Sequence, residues 1–213
     1  MASRILHLAL AEELLKEFDI PDRRRFRFGS ILPDAKIDSL LRAAPHFQKA
    51  LANGLITYAL QDFLSLYGEK MKTDSLYLGY YLHLIQDIIY RRYMYALPYW
   101  DARITENIAQ LHSDYRKLNR YIIESRRLEN NILLPEDFPE EDINLRFEFD
   151  AVGFLRELDG DFKNIHEGEF IHFTPSMADE YLALALDACR NELRAIKEGL
   201  PLLDEIEMAW GKE

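Results

Sequence analysis

The sequence predicts an all-α fold, mainly a helical bundle, and three features predict it. Apolar residues recur three and four positions apart over long stretches. Cap residues open those stretches and Gly or Pro closes them. One stretch is apolar on nearly every side, as a central helix must be. The 213 residues, 48% of them hydrophobic, can bury one sizeable core. A single domain over 1–213 is therefore expected, with a helical core over 1–127 and an acidic loop and helical part over 128–213.

Ser3 is placed to cap a first helix running to about Phe18, in which Leu6, Leu10, Leu14 and Phe18 recur at helical spacing. The basic cluster Arg23-Arg24-Arg25 enters a short helix through Phe28 that Gly29 stops, and a turn at Leu32-Pro33-Asp34 follows. From Pro45 and His46 a helical pattern continues to about Tyr67, carried by Leu55, Tyr58, Ala59, Asp62, Phe63 and Leu66, with Gly68 at its end. Thr73 or Asp74 caps the central helix, Ser75 to about Tyr95, which Pro98 stops. Residues 101–127 carry one apolar stripe, Ile104, Ile108, Leu111, Tyr115, Leu118 and Ile122, on an otherwise charged surface helix. Two prolines and five acids make 131–142 a loop. Ile143, Leu145, Phe147 and Phe149 then alternate with polar residues, and 169–173 could pair with them, so the fold class admits one short β-hairpin in the C-terminal half. Thr174 followed by Pro175 opens a helix to about Lys197 that Gly199 and Pro201 terminate.

Charge and composition narrow the function classes. A net charge of -11, from 37 acidic and 26 basic residues, argues against nucleic acid as a partner, and an anionic substrate would need a local cation. Cys189 is the single cysteine, so a metal would have to sit on imidazoles and carboxylates. The first residues lack the length of a secretory signal and no run approaches the roughly 20 apolar residues of a membrane span. A cytoplasmic protein with no membrane span is expected.

The candidate chemistry centres on Leu76–Tyr90, fifteen residues in which only His83, Gln86 and Asp87 are strongly polar. His83 and Asp87, four apart, share one helix face and can reach a single ion. Gly79 lies one turn before His83 on that face, where it would let another backbone or a ligand approach. A carboxylate in so apolar a helix needs a partner. A metal would serve, as would a hydrogen bond to His83 or a salt bridge to Arg91 or Arg92. His7 also sits in an apolar run and by itself reads equally as a core histidine. Asp34 reads equally as a turn former, and His46 as a helix cap.

Taken in order, His7, Leu32-Pro33-Asp34 after Gly29, His46-Phe47 and Leu78-Gly79-Tyr80-Tyr81-Leu82-His83 with Asp87 resemble the zinc-dependent phospholipase C and S1/P1 nuclease family. Within that family the resemblance is to small bacterial proteins described as phospholipase C-like, and it covers roughly the first 100 residues. It implies an all-helical fold in which His7, Asp34, His46, His83 and Asp87 converge on zinc, as one or two ions, with another divalent metal as an alternative. It further implies that Asp34 ligates metal or serves as the general base toward an attacking water, and that the substrate is a phosphate ester, either a small molecule or a lipid. Secreted members carry a further His six residues after the helix Asp and a later His-x-x-x-acid pair. Here those places hold Tyr93, and His112 with Arg116, which implies a reduced metal set. Those members also use the amine of a processed terminal tryptophan, for which Ala2 would stand in after loss of Met1.

Arg91 and Arg92, just past the candidate ligands, are the candidates for binding substrate phosphate. His166 or His172 could complete a metal shell from afar, whereas His112 reads as a surface residue. Three functions therefore compete: a metal-dependent phosphodiester hydrolase, a non-catalytic helical protein using the same residues to hold a metal or ligand, and an HD-type nucleotide phosphohydrolase. The last ranks lowest, because no His-Asp dipeptide occurs.

Overall fold

The computed structural model describes residues 2–35, 44–200 and 202–211. Among these, eight helices surround one hydrophobic cluster: α1 (Arg4–Glu17), α2 (Arg23–Gly29), α3 (Leu60–Met71), α4 (Ser75–Tyr95), α5 (Thr105–Arg126), α6 (Asp142–Phe147), α7 (Ala151–Lys163) and α8 (Pro175–Glu198). The all-α class is thus correct, and no described helix is long and apolar enough to cross a membrane.

The axis is α4. Asp74 caps it by accepting from the Leu76 N–H, and fifteen of its 21 residues are buried, which explains a helix apolar on nearly every side. It packs against α2, α8 and α3 and touches α1. Each fully buried Leu, Ile or Phe side chain contributes ~1.5–3 kcal/mol through lost contact with water. The α2–α4 crossing is unusually close because glycines face it from both sides. A Cβ on Gly29 would overlap the Leu76 carbonyl, and one on Gly79 would overlap the Phe26 carbonyl and lie 2.8 Å from the Ser30 nitrogen. The approach that Gly79 permits is therefore that of the α2 backbone. Arginines on α2 fasten it at its rim: Arg25 binds Asp74, Asp137 and Glu141, and Arg27 binds Glu12.

The expected helix from His46 to Tyr67 is not formed as such. Its place is taken by a turn over 44–47, a hairpin of β1 (Gln48–Ala50) and β2 (Ile56–Tyr58), and only then α3. The reason is local. Phe47 has φ 53 and Gly54 has φ 82, conformations no helix contains, and Asn53-Gly54 is a hairpin-turn pair. Past the hairpin, α3 runs through Gly68 to Met71. A third backbone partner closes on β2 when Ile56 and Trp210 exchange N–H···O bonds of 2.8 and 2.9 Å.

The hairpin admitted by the sequence thus lies at 48–58, not in the C-terminal half. Residues 142–147 are helical, Glu148 leaves them with φ 52, and α7 follows with the Asp150 side chain accepting from the Gly153 N–H. Residues 169–173 form no strand because their donors are already engaged. The backbone N–H groups of Ile171, His172 and Phe173 all donate to the carboxylate of Asp114, which is fully buried and also pairs with Lys117. Asp114→Ala would strand three amides and take the carboxylate partner from a nearly buried ammonium. A loss of about 3–5 kcal/mol is expected, the usual cost of breaking a buried charge network. Urea denaturation measures it, and a loss below 1 kcal/mol would contradict this account.

Candidate metal centre

The five candidate ligands converge. His7 comes from the apolar face of α1, His83 and Asp87 from adjacent turns of α4, and Asp34 from the 3-10 turn Leu32–Asp34 directly after α2. His46 comes from the turn before β1, which carries its imidazole onto the same point. His7, His83 and Asp87 are fully buried, His46 is 3% exposed, and only 8% of the Asp34 side chain meets solvent.

His7 Nε2 lies 3.5 Å from Asp87 Oδ1 and 3.9 Å from Asp34 Oδ2. His46 Nε2 lies 3.5 Å from Asp34 Oδ1, 3.6 Å from Asp87 Oδ2 and 3.3 Å from His83 Nε2. His83 Nε2 is 3.8 Å from Asp87 Oδ2, and its ring stacks on that of His7 with centroids 3.8 Å apart. Donors arranged tetrahedrally about zinc at 2.0–2.1 Å stand about 3.3 Å from one another, so the observed spacings suit donors around a common ion.

The outward nitrogens are tied down. His83 Nδ1 contacts the Ser30 carbonyl at 2.9 Å, and since a carbonyl only accepts, Nδ1 carries the proton and Nε2 presents a lone pair to the centre. His7 Nδ1 meets the Gln86 side-chain oxygen at 2.6 Å, which fixes its ring in the same way. Two buried atoms facing inward, His7 Nε2 and Asp34 Oδ1, have no hydrogen-bond partner among the described residues. Such orphans cost ~1–3 kcal/mol each unless something satisfies them. A divalent cation fits this donor set: three imidazoles, two carboxylates, anchored outer nitrogens and inner atoms left to bond.

The local field favours a cation as well. Burial, with some repulsion from His7, pushes His83 down to about 3, so its imidazole stays neutral. Burial also opposes a proton on His7, yet Asp87 and Asp34 outweigh it and raise His7 above the ordinary histidine value. For Asp34 burial favours the neutral acid, but the contact with His46 and the other two imidazoles win and hold it below the usual carboxylate range. Positive charge is drawn to the centre and both carboxylates remain ionised.

Several contributors lie outside the five candidate ligands. Ser30 supplies a carbonyl, which leaves no trace in residue type. Gln86 was visible as the third polar residue of the apolar window. Tyr58, fully buried, puts its hydroxyl 3.5 Å from Asp87 Oδ2 and its ring beside His46. The Ala2 backbone N–H donates to Asp87 Oδ1 at 2.8 Å, whereas Met1 lies outside the described residues. The remaining histidines are not in the converging groups. His172 bonds Gln110 and packs on Trp100, and His166 is exposed. Arg92 points away, donating to the Glu207 carbonyl, while Arg91 turns in toward Tyr58.

Fold and site together define a helical protein with a buried three-imidazole, two-carboxylate centre. No family model, curated protein or solved structure matches the chain.

Proposed function

We propose that the protein is a metal-dependent hydrolase, a phosphodiesterase holding zinc or a related divalent ion at this centre. The observation that carries the reading is the convergence of His7, Asp34, His46, His83 and Asp87 with anchored outer nitrogens and unbonded inner atoms. The ion would supply Lewis acidity toward a phosphoryl oxygen and would make a nearby water more acidic. His7, His46, His83 and Asp87 would hold it. Asp34 is the most exposed of the five side chains and is ionised, so it can ligate the ion or accept a proton from an incoming water at its Oδ1. The burial of α4 around the centre keeps other water out, which strengthens each of these electrostatic contacts.

Zinc content by elemental analysis and hydrolysis of bis-p-nitrophenyl phosphate test the reading together. The wild type should retain zinc and turn over the ester, and His46→Ala should lose at least about tenfold in rate, the lower end of what losing even an outer-shell partner of a metal site costs. Full-rate hydrolysis by the metal-free protein would overturn it. A second reading is favoured by the near-complete burial of all five side chains: a closed centre that stabilises the fold without turnover. It predicts bound zinc and no hydrolysis in the same two measurements.

A further inference from the structure

Arg91 follows Asp87 by one helical turn and His83 by two, so the three side chains form a stripe on one face of α4. Its surroundings are built. The guanidinium turns toward Tyr58, whose hydroxyl lies 3.5 Å from Asp87 Oδ2, and it sits 6.0 Å over the ring of Trp210. Trp210 is fixed by its paired backbone bonds to Ile56 and by an edge contact with Tyr58 at 4.8 Å. Within this enclosure Arg91 Nε is buried with no hydrogen-bond partner among the described residues. A guanidinium whose flank is left unbonded beside a candidate metal centre is suited to a planar or tetrahedral oxyanion, which takes two N–H groups at once. A chain of net charge -11 also needs a local cation to attract an anionic substrate.

We propose that Arg91, propped by Tyr58 and roofed by Trp210, is the oxyanion subsite of the centre, binding the non-reacting phosphoryl oxygens of a phosphate ester. The inference rests on the metal reading above and names what the site grips beyond the ion. Arg92 takes no part, since the Glu207 carbonyl engages it on the exposed side of the helix.

Inorganic phosphate, titrated calorimetrically into protein loaded with one equivalent of zinc, provides the test, with zinc content and circular dichroism measured on every variant. Arg91→Gln should weaken phosphate binding at least about tenfold while zinc content stays at the wild-type value, the loss expected for one charge-assisted contact. Arg91→Lys should recover only part of the affinity, because an ammonium restores charge but not the fork. If Arg91→Gln fails to fold, Arg91→Lys decides alone, by weaker phosphate binding at unchanged zinc. Unaltered phosphate affinity in the folded variants overturns the proposal. So does loss of zinc in Arg91→Gln that Arg91→Lys fully restores, which would make Arg91 a counter-ion of the carboxylates. A wild type that holds zinc but no phosphate overturns this inference and leaves metal binding standing; a wild type that takes up no zinc overturns both.

Discussion

Asp87→Asn is expected to lower affinity for divalent metal by more than about 100-fold, exceeding the 10–100-fold typical of losing an outer-shell partner. Asp87 is the residue that no neighbour can replace. Its Oδ1 accepts from the Ala2 N–H and faces His7, while its Oδ2 faces His46, His83 and Tyr58. An amide keeps the shape, loses the charge and presents N–H donors toward atoms of the centre. Burial works against ionising Asp87, yet its contact with His7 and the charges around it hold it well below the ordinary carboxylate range. Its contribution to stability is therefore present above the unfolded carboxylate value, about 3.9, and is lost only as pH falls through the lower folded one. Competition with a chromophoric chelator measures the affinity. An Asn variant that retains zinc as tightly as the wild type would place the ion elsewhere.

Gly79→Ala, a single added methyl group about 12 Å along the helix axis from Asp87 by the ordinary helical rise, is expected to be as damaging. That methyl would enter the Phe26 carbonyl and crowd the Ser30 nitrogen, and neither is the end of a flexible side chain. The alternative to the clash is to lift α2 from α4. Overpacking of this kind costs ~1–3 kcal/mol, and more where backbone must move. The displaced segment holds the Ser30 carbonyl that orients His83 and leads straight into Asp34. Thermal unfolding should shift down and zinc affinity should fall together. Wild-type values for both would mean that the α2–α4 contact is looser than the structure has it.

How far the sequence was legible follows from which signals are local. The central helix was readable almost to the residue, because Asp74, the apolar run and Pro98 are all local signals. The last helix was readable for the same reason, from Thr174-Pro175 to Gly199. The hairpin at 48–58 was misread because apolar spacing across it imitates a helix, although Asn53-Gly54 stood there as a turn signal. The alternation over 143–149 misled in the opposite direction. The segment expected to pair with it was taken by Asp114, distant in sequence, which draws in the amides of 171–173. Of the centre, His83 and Asp87 were legible as a pair from spacing. Grouping His7, Asp34 and His46 with them needed a family resemblance, because their convergence depends on a 3-10 turn and a left-handed Phe47 that no periodicity announces.

The arginine cluster on α2 takes on a different meaning once the path from it is followed inward. Ser30, whose carbonyl meets His83 Nδ1, is the C-cap of that helix, so the imidazole sits at the negative end of the helix dipole and becomes a better electron donor at Nε2. The helix has only seven residues and would not persist alone. Its surface ion pairs through Arg25 and Arg27 keep it in register with α1 and α4. Residues at the solvent boundary thereby help to hold in place the carbonyl that orients an imidazole at the centre of the molecule.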